Sequence, residues 1–284
     1  MKRTAVGITG ASGIIGSKLC EKLLENGYII HVLTRNPNNF KKKTSVKAFK
    51  IDLINPDVKI VTDFIKSIKC LFHLASELND ESKMMKINYH GTKILVDSIK
   101  NKNIPFIYLS SIGIFDFAKP KQISENSYKK QLNVYEKTKF LSERYIFKSQ
   151  KEDNLKFIIL RPSIVLDIQM KSKIIDYLVI LSRLGIKIKF SKKIIANFIL
   201  LDDVVKIILK VFKRKKALCE SYNISSDILL EDFLLKTSNV IKRKTYIDLP
   251  YNVFLKLIDL SLFFKLLKNN NDIKRFFNNT CKIS

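Results

Sequence analysis

A phenol and an ammonium stand four residues apart in Tyr135-Glu-Lys-Thr-Lys139. On a helix that spacing puts both side chains on one face. A tyrosine with its ordinary pKa of about 10 is a poor acid or base at neutral pH, and a neighbouring cation that favours phenolate brings it into range. Such pairs arise by chance in a chain with 52 Lys+Arg, so this one gains meaning from its company. That company is Ser110-Ser111, closing the apolar run Phe106–Ser110. A hydroxyl there could hydrogen-bond the oxygen that the tyrosine protonates.

The second piece of chemistry is Gly7-Ile-Thr-Gly10-Ala-Ser-Gly13-Ile-Ile-Gly16, directly after a predicted strand and opening a predicted helix. Glycines at 10, 13 and 16 suit a tight turn, close backbone approach to a pyrophosphate and close helix packing, and the helix N-terminus adds free N–H donors. The end of the next strand selects between dinucleotides: an acid there suits the ribose hydroxyl of NAD, an arginine the 2′-phosphate of NADP. The sequence reads His31-Val-Leu-Thr34-Arg35-Asn, with Lys41–Lys43 nearby, which favours NADP(H) over NAD. Asp52 is either an adenine contact or a turn-initiating aspartate.

The elements that must position these residues follow from apolar periodicity. Strands are predicted at Thr4–Thr9, Ile29–Thr34, Val46–Ile51, Cys70–Leu74, Phe106–Ser110 and Lys156–Arg161. Helices are predicted between them at Ile15–Asn26, Asp57–Ile68, Asn88–Lys100 and Val134–Lys148. This alternation argues for βαβ units and a doubly wound parallel Rossmann-type α/β sheet. The expected dinucleotide-binding domain is 1–165, with a strand–helix unit Asn197–Phe212 and a strand near Tyr222–Ser225 (197–225 as a whole) returning to it. Residues 166–196 and 226–284 form a small, mostly helical C-terminal substrate lobe. Its Tyr251–Leu267 segment is apolar nearly all round, which suits packing inside the protein better than attachment to a bilayer surface.

Composition bounds the rest. The 284 residues suit one large domain with an appendage at roughly 100–200 residues per domain. With 46% apolar and 27% charged residues, wholesale disorder and fibrous architectures are excluded. No run approaches the ~18 apolar residues of a spanning helix, and the N-terminal run is too short and glycine-rich for a secretory signal. Cys20, Cys70, Cys219 and Cys281 are scattered without a CxxC pair, as free thiols in a reducing compartment would be. The expectation is a soluble, cytoplasmic protein. His31, His73 and His90 lack metal-ligand spacing, and no metal site is expected. A net charge of +26 is spread along the whole chain without aromatics interleaved in its short basic runs. Lys, Ile and Asn enrichment reads as an AT-rich genome writing the surface rather than a nucleic-acid-binding face, though the field favours an anionic, phosphate-bearing substrate.

With these pieces in order, residues ~4–230 resemble the extended short-chain dehydrogenase/reductases, the NAD-dependent epimerase/dehydratase family. The resemblance is carried by TGASGIIG, Asp52-Leu53, His73-Leu-Ala75-Ser76, Asn88-Tyr-His-Gly91-Thr92, LSSIGIF and Ser124-Glu125 before VYEKTK. It continues through Arg161-Pro162, Leu201-Asp202-Asp203-Val204 and Tyr222-Asn-Ile-Ser. It implies a catalytic triad of Ser111, Tyr135 and Lys139: Tyr135 as acid/base, Lys139 on the nicotinamide ribose and lowering the tyrosine pKa, Ser111 orienting the substrate oxygen. Ser111 is preferred to Ser110 because it lies three residues before Ile114, which matches the hydrophobic residue of the family's VYG motif. The resemblance also places Ser12, Ile14, Ile15, Leu53, Leu74, Ala75, Ser76 and Pro162 beside Gly10, Gly13, Gly16, Arg35, Asp52, Tyr135 and Lys139 at the dinucleotide. It implies a homodimer through the Asn88–Lys100 and Val134–Lys148 helices.

Departures narrow the activity. The Asp-Glu pair that sugar-nucleotide dehydratases place after the catalytic hydroxyl is Ile112-Gly113 here, which argues against water loss. The 4-epimerases carry an acid after the second strand and an Asn after the sixth; here these are Thr34-Arg35 and Pro162-Ser163. The expected activity is an NADP(H)-dependent reductase or dehydrogenase of a carbonyl/secondary alcohol, with a nucleotide sugar as first substrate. The alternatives are a 4-epimerase retaining NAD, an enzyme of a lipid-like alcohol, and a non-catalytic dinucleotide-binding or assembly protein. Substrate determinants are expected in Glu77–Met85, Phe115–Asn133 and Leu166–Ala196.

Overall fold

The computed structural model describes residues 4–40, 44–118, 122–167, 186–189, 193–241, 247–253 and 279–284, with single positions 176, 180, 183, 256 and 276. The Lys41–Lys43 run, most of the 166–196 segment and most of Tyr251–Leu267 lie outside the described residues. The first half runs β1 (Ala5–Thr9), α1 (Ile14–Glu25), β2 (Ile29–Thr34), β3 (Val46–Lys50), α2 (Val58–Lys66), β4 (Leu71–His73), α3 (Glu81–Met84), α4 (Gly91–Ile99) and β5 (Phe106–Leu109). It continues as β6 (Gln122–Ile123), α5 (Val134–Asp153), β7 (Phe157–Pro162), β8 (Ile164–Leu166), β9 (Ile186–Lys189), β10 (Ile195–Leu200) and α6 (Leu201–Phe212). The last elements are β11 (Glu220–Ile224), β12 (Ser226–Leu229), α7 (Leu230–Ile241), β13 (Ile247–Pro250) and β14 (Lys282–Ile283).

The main sheet has seven strands in the order β11-β7-β5-β4-β1-β2-β3, and every pairing in it is parallel. The chain winds one way from β1 to β3 and the other way from β4 to β11. The order reverses between β1 and β4, and the crevice at their carboxyl ends is where such sheets bind ligands. Both faces are covered, so the strands are apolar on both sides. Ile107, Ile158 and Leu160 pack with Leu19, Leu23, Val204 and Ile208 of α1 and α6. Phe106, Tyr108, Phe157 and Ile159 point the other way, onto Phe64 of α2, Leu95 and Ile99 of α4, and Ile146 of α5. This is the doubly wound α/β fold that the strand–helix alternation predicts.

Three differences from the sequence reading bear on the site. The third predicted helix, Asn88–Lys100, instead opens at α3, where Asp80 accepts Ser82 N–H, and widens into a π segment at Met85–His90 before α4. Helix α5 extends past Lys148 to Asp153, where Asn154 closes it in the left-handed region at φ 52°. The third concerns the Asn197–Phe212 unit, only half of which returns to the main sheet. Helix α6 packs on the main core, whereas β10 lies between β12 and β8 in a separate three-stranded sheet. The reason is polar: the Asn197 amide donates to Asp227 of β12 at 2.7 Å and to the Cys281 carbonyl, just before β14, at 3.2 Å. The described part of the lobe carries helix α7 with the short strands β9, β12, β13 and β14.

Candidate active site

The turn from β1 to α1 shapes one end of the crevice. Gly10 has φ +74°, and a Cβ there would fall 2.6 Å from Ala75 N. A Cβ on Gly16 would meet the Gly10 carbonyl at 2.1 Å, so the first turn of α1 presses directly on the loop. Gly13, at the N-cap, offers no side chain to cap the helix, and the first turn has no acid. The exposed N–H groups and positive helix end therefore face the crevice, the arrangement that receives an anion.

The other end is built by β5 and α5. Asn133 caps α5 by accepting Glu136 N–H at 2.8 Å, which sets Tyr135 in the first turn and Lys139 one turn on. Ser111 caps the short turn Ile112–Ile114 by accepting Gly113 N–H at 3.1 Å, which leaves its own hydroxyl proton to donate. Lys139 is 2% exposed, and its Nζ donates to the Leu109 carbonyl at 2.8 Å. The same Nζ lies 4.9 Å from the Tyr108 ring centroid and 5.7 Å from that of Tyr135.

Burial pushes the Lys139 ammonium down to about 7, opposed by the Glu143 carboxylate. Burial likewise raises the Tyr135 phenol, and the adjacent Glu136 raises it further. The expected lowering of the tyrosine by Lys139 is thus not what this arrangement does. A lysine near half-protonation at neutral pH, set over ring faces, is a weak counter-charge, and loss of hydration dominates. Tyr135 accordingly holds its proton. One turn beyond Lys139, Glu143 forms a bidentate pair with Arg161, Nε to Oε1 at 2.8 Å and Nη2 to Oε2 at 2.9 Å.

A chain of hydrogen bonds ties the crevice walls together. Ala75 N–H donates to Thr9 Oγ1, whose hydroxyl lies 2.6 Å from His73 Nδ1. His73 Nε2 lies 2.8 Å from Thr92 Oγ1, which donates to the Asn88 carbonyl. Because Thr92 donates to Asn88, His73 Nε2 is the donor to Thr92, and in the neutral ring Nδ1 then accepts the Thr9 hydroxyl. Asn88, within the π segment, accepts Glu77 N–H through Oδ1 at 2.7 Å and donates through Nδ2 to Thr138 at 3.2 Å. Burial, aided by the Lys139 charge, depresses His73 from 6.5 to about 3. The unfolded chain therefore binds a proton first as pH falls. The His73 contribution to stability is complete above pH 6.5 and drains away toward pH 3, at up to about 1.4 kcal/mol per pH unit. Urea midpoints should fall across that window, and less steeply in His73→Gln; equal slopes would contradict the assignment.

The resulting cleft has a volume of about 480 Å³. It gathers every residue singled out from the sequence: Gly10, Ser12, Gly13, Ile14, Ile15, Gly16, Arg35, Asp52, Leu53, Leu74, Ala75, Ser76, Ser111, Tyr135, Lys139 and Pro162. Asp52 lines the cleft and accepts Ile54 N–H at 3.0 Å, as a turn-initiating aspartate does. Sequence reasoning preferred Ser111 to Ser110, gave Ser163 no role, and assigned Glu77 and Leu78 only to a substrate segment; all four line the cleft. The hydroxyls of Ser76, Ser110 and Ser163 are buried with no partner among the described residues. Three orphaned hydroxyls, an uncapped helix N-terminus and a glycine cradle fit a long polar ligand such as a dinucleotide. The pairs Ser110-Ser111 after β5 and Pro162-Ser163 were the available signals, but only burial reveals Ser110 and Ser163 as unpaired among the described residues.

Comparison with known proteins bears on this cleft. The model of the NAD dependent epimerase/dehydratase family matches residues 6–225. A dihydroflavonol 4-reductase of Gerbera hybrida is 28% identical over 196 residues, covering 56% of this chain and 50% of that protein. A decarboxylating sterol-4-alpha-carboxylate 3-dehydrogenase of Dictyostelium discoideum is 26% identical over 190 residues, 61% of this chain and 56% of that one. The chain spans about half the length of the curated relatives it matches. Among solved structures, UDP-glucuronic acid 4-epimerase from Bacillus cereus in complex with NAD has a TM-score of 0.71 at 19% identity, over 87% of both chains. The terminal R domain of the myxalamid PKS-NRPS pathway has a TM-score of 0.80 at 16% identity, over 96% of this chain and 79% of that one. At such identities the likeness is one of fold. No helix among the described residues is long and apolar enough to cross a membrane.

Proposed function

The chain belongs to the NAD-dependent epimerase/dehydratase family, and on that footing we propose that it is an NADP(H)-dependent reductase or dehydrogenase of a carbonyl/secondary alcohol. The observation that carries this reading is that Ser111, Tyr135 and Lys139 line one cleft with the glycine loop and Arg35. Gly10–Gly16 and the α1 N-terminus would hold the pyrophosphate, Arg35 the 2′-phosphate, and Lys139 the nicotinamide ribose. When bound, the nicotinamide supplies or takes up a hydride. Ser111 donates a hydrogen bond to the substrate oxygen, and Tyr135, held protonated by its surroundings, delivers the proton to that oxygen as reduction proceeds. The reductases and dehydrogenases among the relatives support this direction of chemistry. We extend the reading to a diphosphate-bearing substrate, a nucleotide sugar first, and to a homodimer paired through α4 and α5. Because Leu78 lines the cleft at 60% exposure, ring ketones of low polarity are the second substrate class.

Turnover separates this reading from its rivals. Stoichiometric loss of NADPH absorbance with a keto substrate supports a reductase. Interconversion of sugar epimers without net absorbance change would replace it with an epimerase. Arg35→Ala should weaken NADPH binding by tenfold or more, the value of about 1.4 kcal/mol for a lost charge-assisted contact, while NADH binding changes less than about twofold. Equal losses for both nucleotides would remove Arg35 from the 2′-phosphate site.

A further inference from the structure

Residues Asn279–Ser284 join two parts of the molecule that are far apart in sequence. They alternate in burial, with Asn279, Cys281 and Ile283 turned inward and Thr280, Lys282 and Ser284 exposed. Asn279 is the anchor. Its amide donates to the Ile195 carbonyl at 2.8 Å and to Asn197 Oδ1, and its own carbonyl accepts Ile195 N–H at 2.8 Å, all on β10. Its Oδ1 accepts Cys281 N–H at 2.9 Å, and Asp227 of β12 accepts Ile283 N–H at 2.8 Å. The far end of the segment reaches β6. There β14 pairs in parallel, Lys282 opposite Gln122 and Ile283 opposite Ile123. Ser284 donates its N–H at 2.9 Å and its hydroxyl at 3.1 Å to the Ile123 carbonyl. Between these ends, Cys281 and Ile283 pack in one apolar cluster with Ile112, Ile114, Phe115 and Ile123. Ile112–Ile114 is the turn that Ser111 caps.

We propose that Asn279–Ser284 is a strap that fixes Ser111 against Val165 and so sets the width of the substrate end of the cleft. Val165 lines the cleft from β8, which pairs with β10, the strand that Asn279 grips. Ser111 lines it from the turn that packs on Cys281 and Ile283. The strap therefore spans both walls. Apolar burial alone would hold them together without setting their offset, because it is non-directional. The directed bonds from Asn279 at one end and from Ser284 at the other supply that offset. The strap's bonds given above go to β10, β12 and β6, none of which carries the glycine loop or Arg35, so the nucleotide end is independent of it. The inference rests on Ser111 as the group that holds the substrate oxygen in the reaction proposed above.

The test is amide exchange by NMR on the full chain labelled with ¹⁵N-glycine, combined with steady-state kinetics. Gly113 N–H, which Ser111 Oγ accepts, reports the Ser111 turn; Gly7 N–H, bonded to the Cys70 carbonyl at 2.8 Å, reports the main sheet. The Gly113 signal is identified by its loss in Gly113→Ala. Ile283→Ala combined with Ser284→Pro withdraws the cluster contact and both bonds to the Ile123 carbonyl, and leaves the Asn279 anchor in place. In this variant Gly113 is expected to exchange about tenfold faster while Gly7 changes less than about twofold. KM for a keto substrate should rise about tenfold, with NADPH affinity within about twofold of wild type. Unchanged Gly113 exchange, an unchanged KM, or equal acceleration at Gly7 and Gly113 overturns the proposal and leaves the segment a contributor to overall stability. If the double variant does not fold, Ser284→Pro alone is judged by the same signals and the same outcomes. A wild-type chain that reduces no keto substrate would instead defeat the reductase reading, and the two exchange rates would still decide the strap.

Discussion

Tyr135→Phe should lower the turnover of carbonyl reduction by about 10²–10⁴-fold, the range general acid catalysis contributes, while NADPH affinity stays within about twofold of wild type. The two halves of that result come from different atoms. Phenylalanine keeps the ring that Lys139 Nζ approaches to 5.7 Å, so the packing that supports the lysine survives. It removes only the hydroxyl of a residue that lines the cleft with Ser111, on the first turn of the helix that Asn133 caps. Steady-state kinetics at saturating NADPH, paired with calorimetric titration, would check it. A variant keeping more than about a tenth of the turnover would mean that the proton comes from elsewhere, with Ser111 or a water as the next candidates.

Glu143→Gln is expected to destabilise the fold by about 3–5 kcal/mol, because it strands a buried guanidinium. The side chains of Arg161 and Glu143 are 1% and 2% exposed, and both donor–acceptor distances are under 3 Å. The Arg161 guanidinium also lies 5.2 Å from the Phe115 ring centroid, and Asn223 Oδ1 at 3.5 Å is a long contact, so neither replaces the lost carboxylate. The double replacement Glu143→Leu with Arg161→Met should recover much of the loss, since removing both charges also removes their desolvation cost. Urea denaturation of the single and double variants measures the coupling; additive losses would contradict it. The single variant should also weaken nucleotide binding at neutral pH, because Glu143 is what holds the Lys139 charge up against burial.

The parts of this molecule written in local spacing were legible in its sequence. The glycine loop sits between a strand and a helix whose apolar periods are plain, and Tyr135 and Lys139 share a face because α5 is a regular helix from its Asn133 cap. The central main-sheet strands β1, β2, β4, β5 and β7 carry mostly apolar runs, so their existence and order of appearance could be read. What escaped was decided by contacts distant in sequence. The α3 and π segments look like a loop because their logic lies in Asn88 bonding Glu77 and Thr138, and β10 is apolar enough for either sheet until Asn197 finds Asp227. The sign of the Tyr135 shift was missed for a related reason: a nearby lysine is visible in sequence, the loss of water around both groups is not.

The cleft as an NADP(H) site is the claim on which the rest depends, and freshly purified protein tests it most directly. Its released nucleotide would be identified, and the stripped protein titrated with NADPH and NADH by calorimetry. The expected result is little retained nucleotide and one site per chain that binds NADPH at least tenfold more tightly than NADH. Tightly retained NAD⁺ would contradict the reductase reading and favour an epimerase, with Arg35 reduced to a surface base. Failure to bind either nucleotide would contradict the assignment of the glycine loop itself.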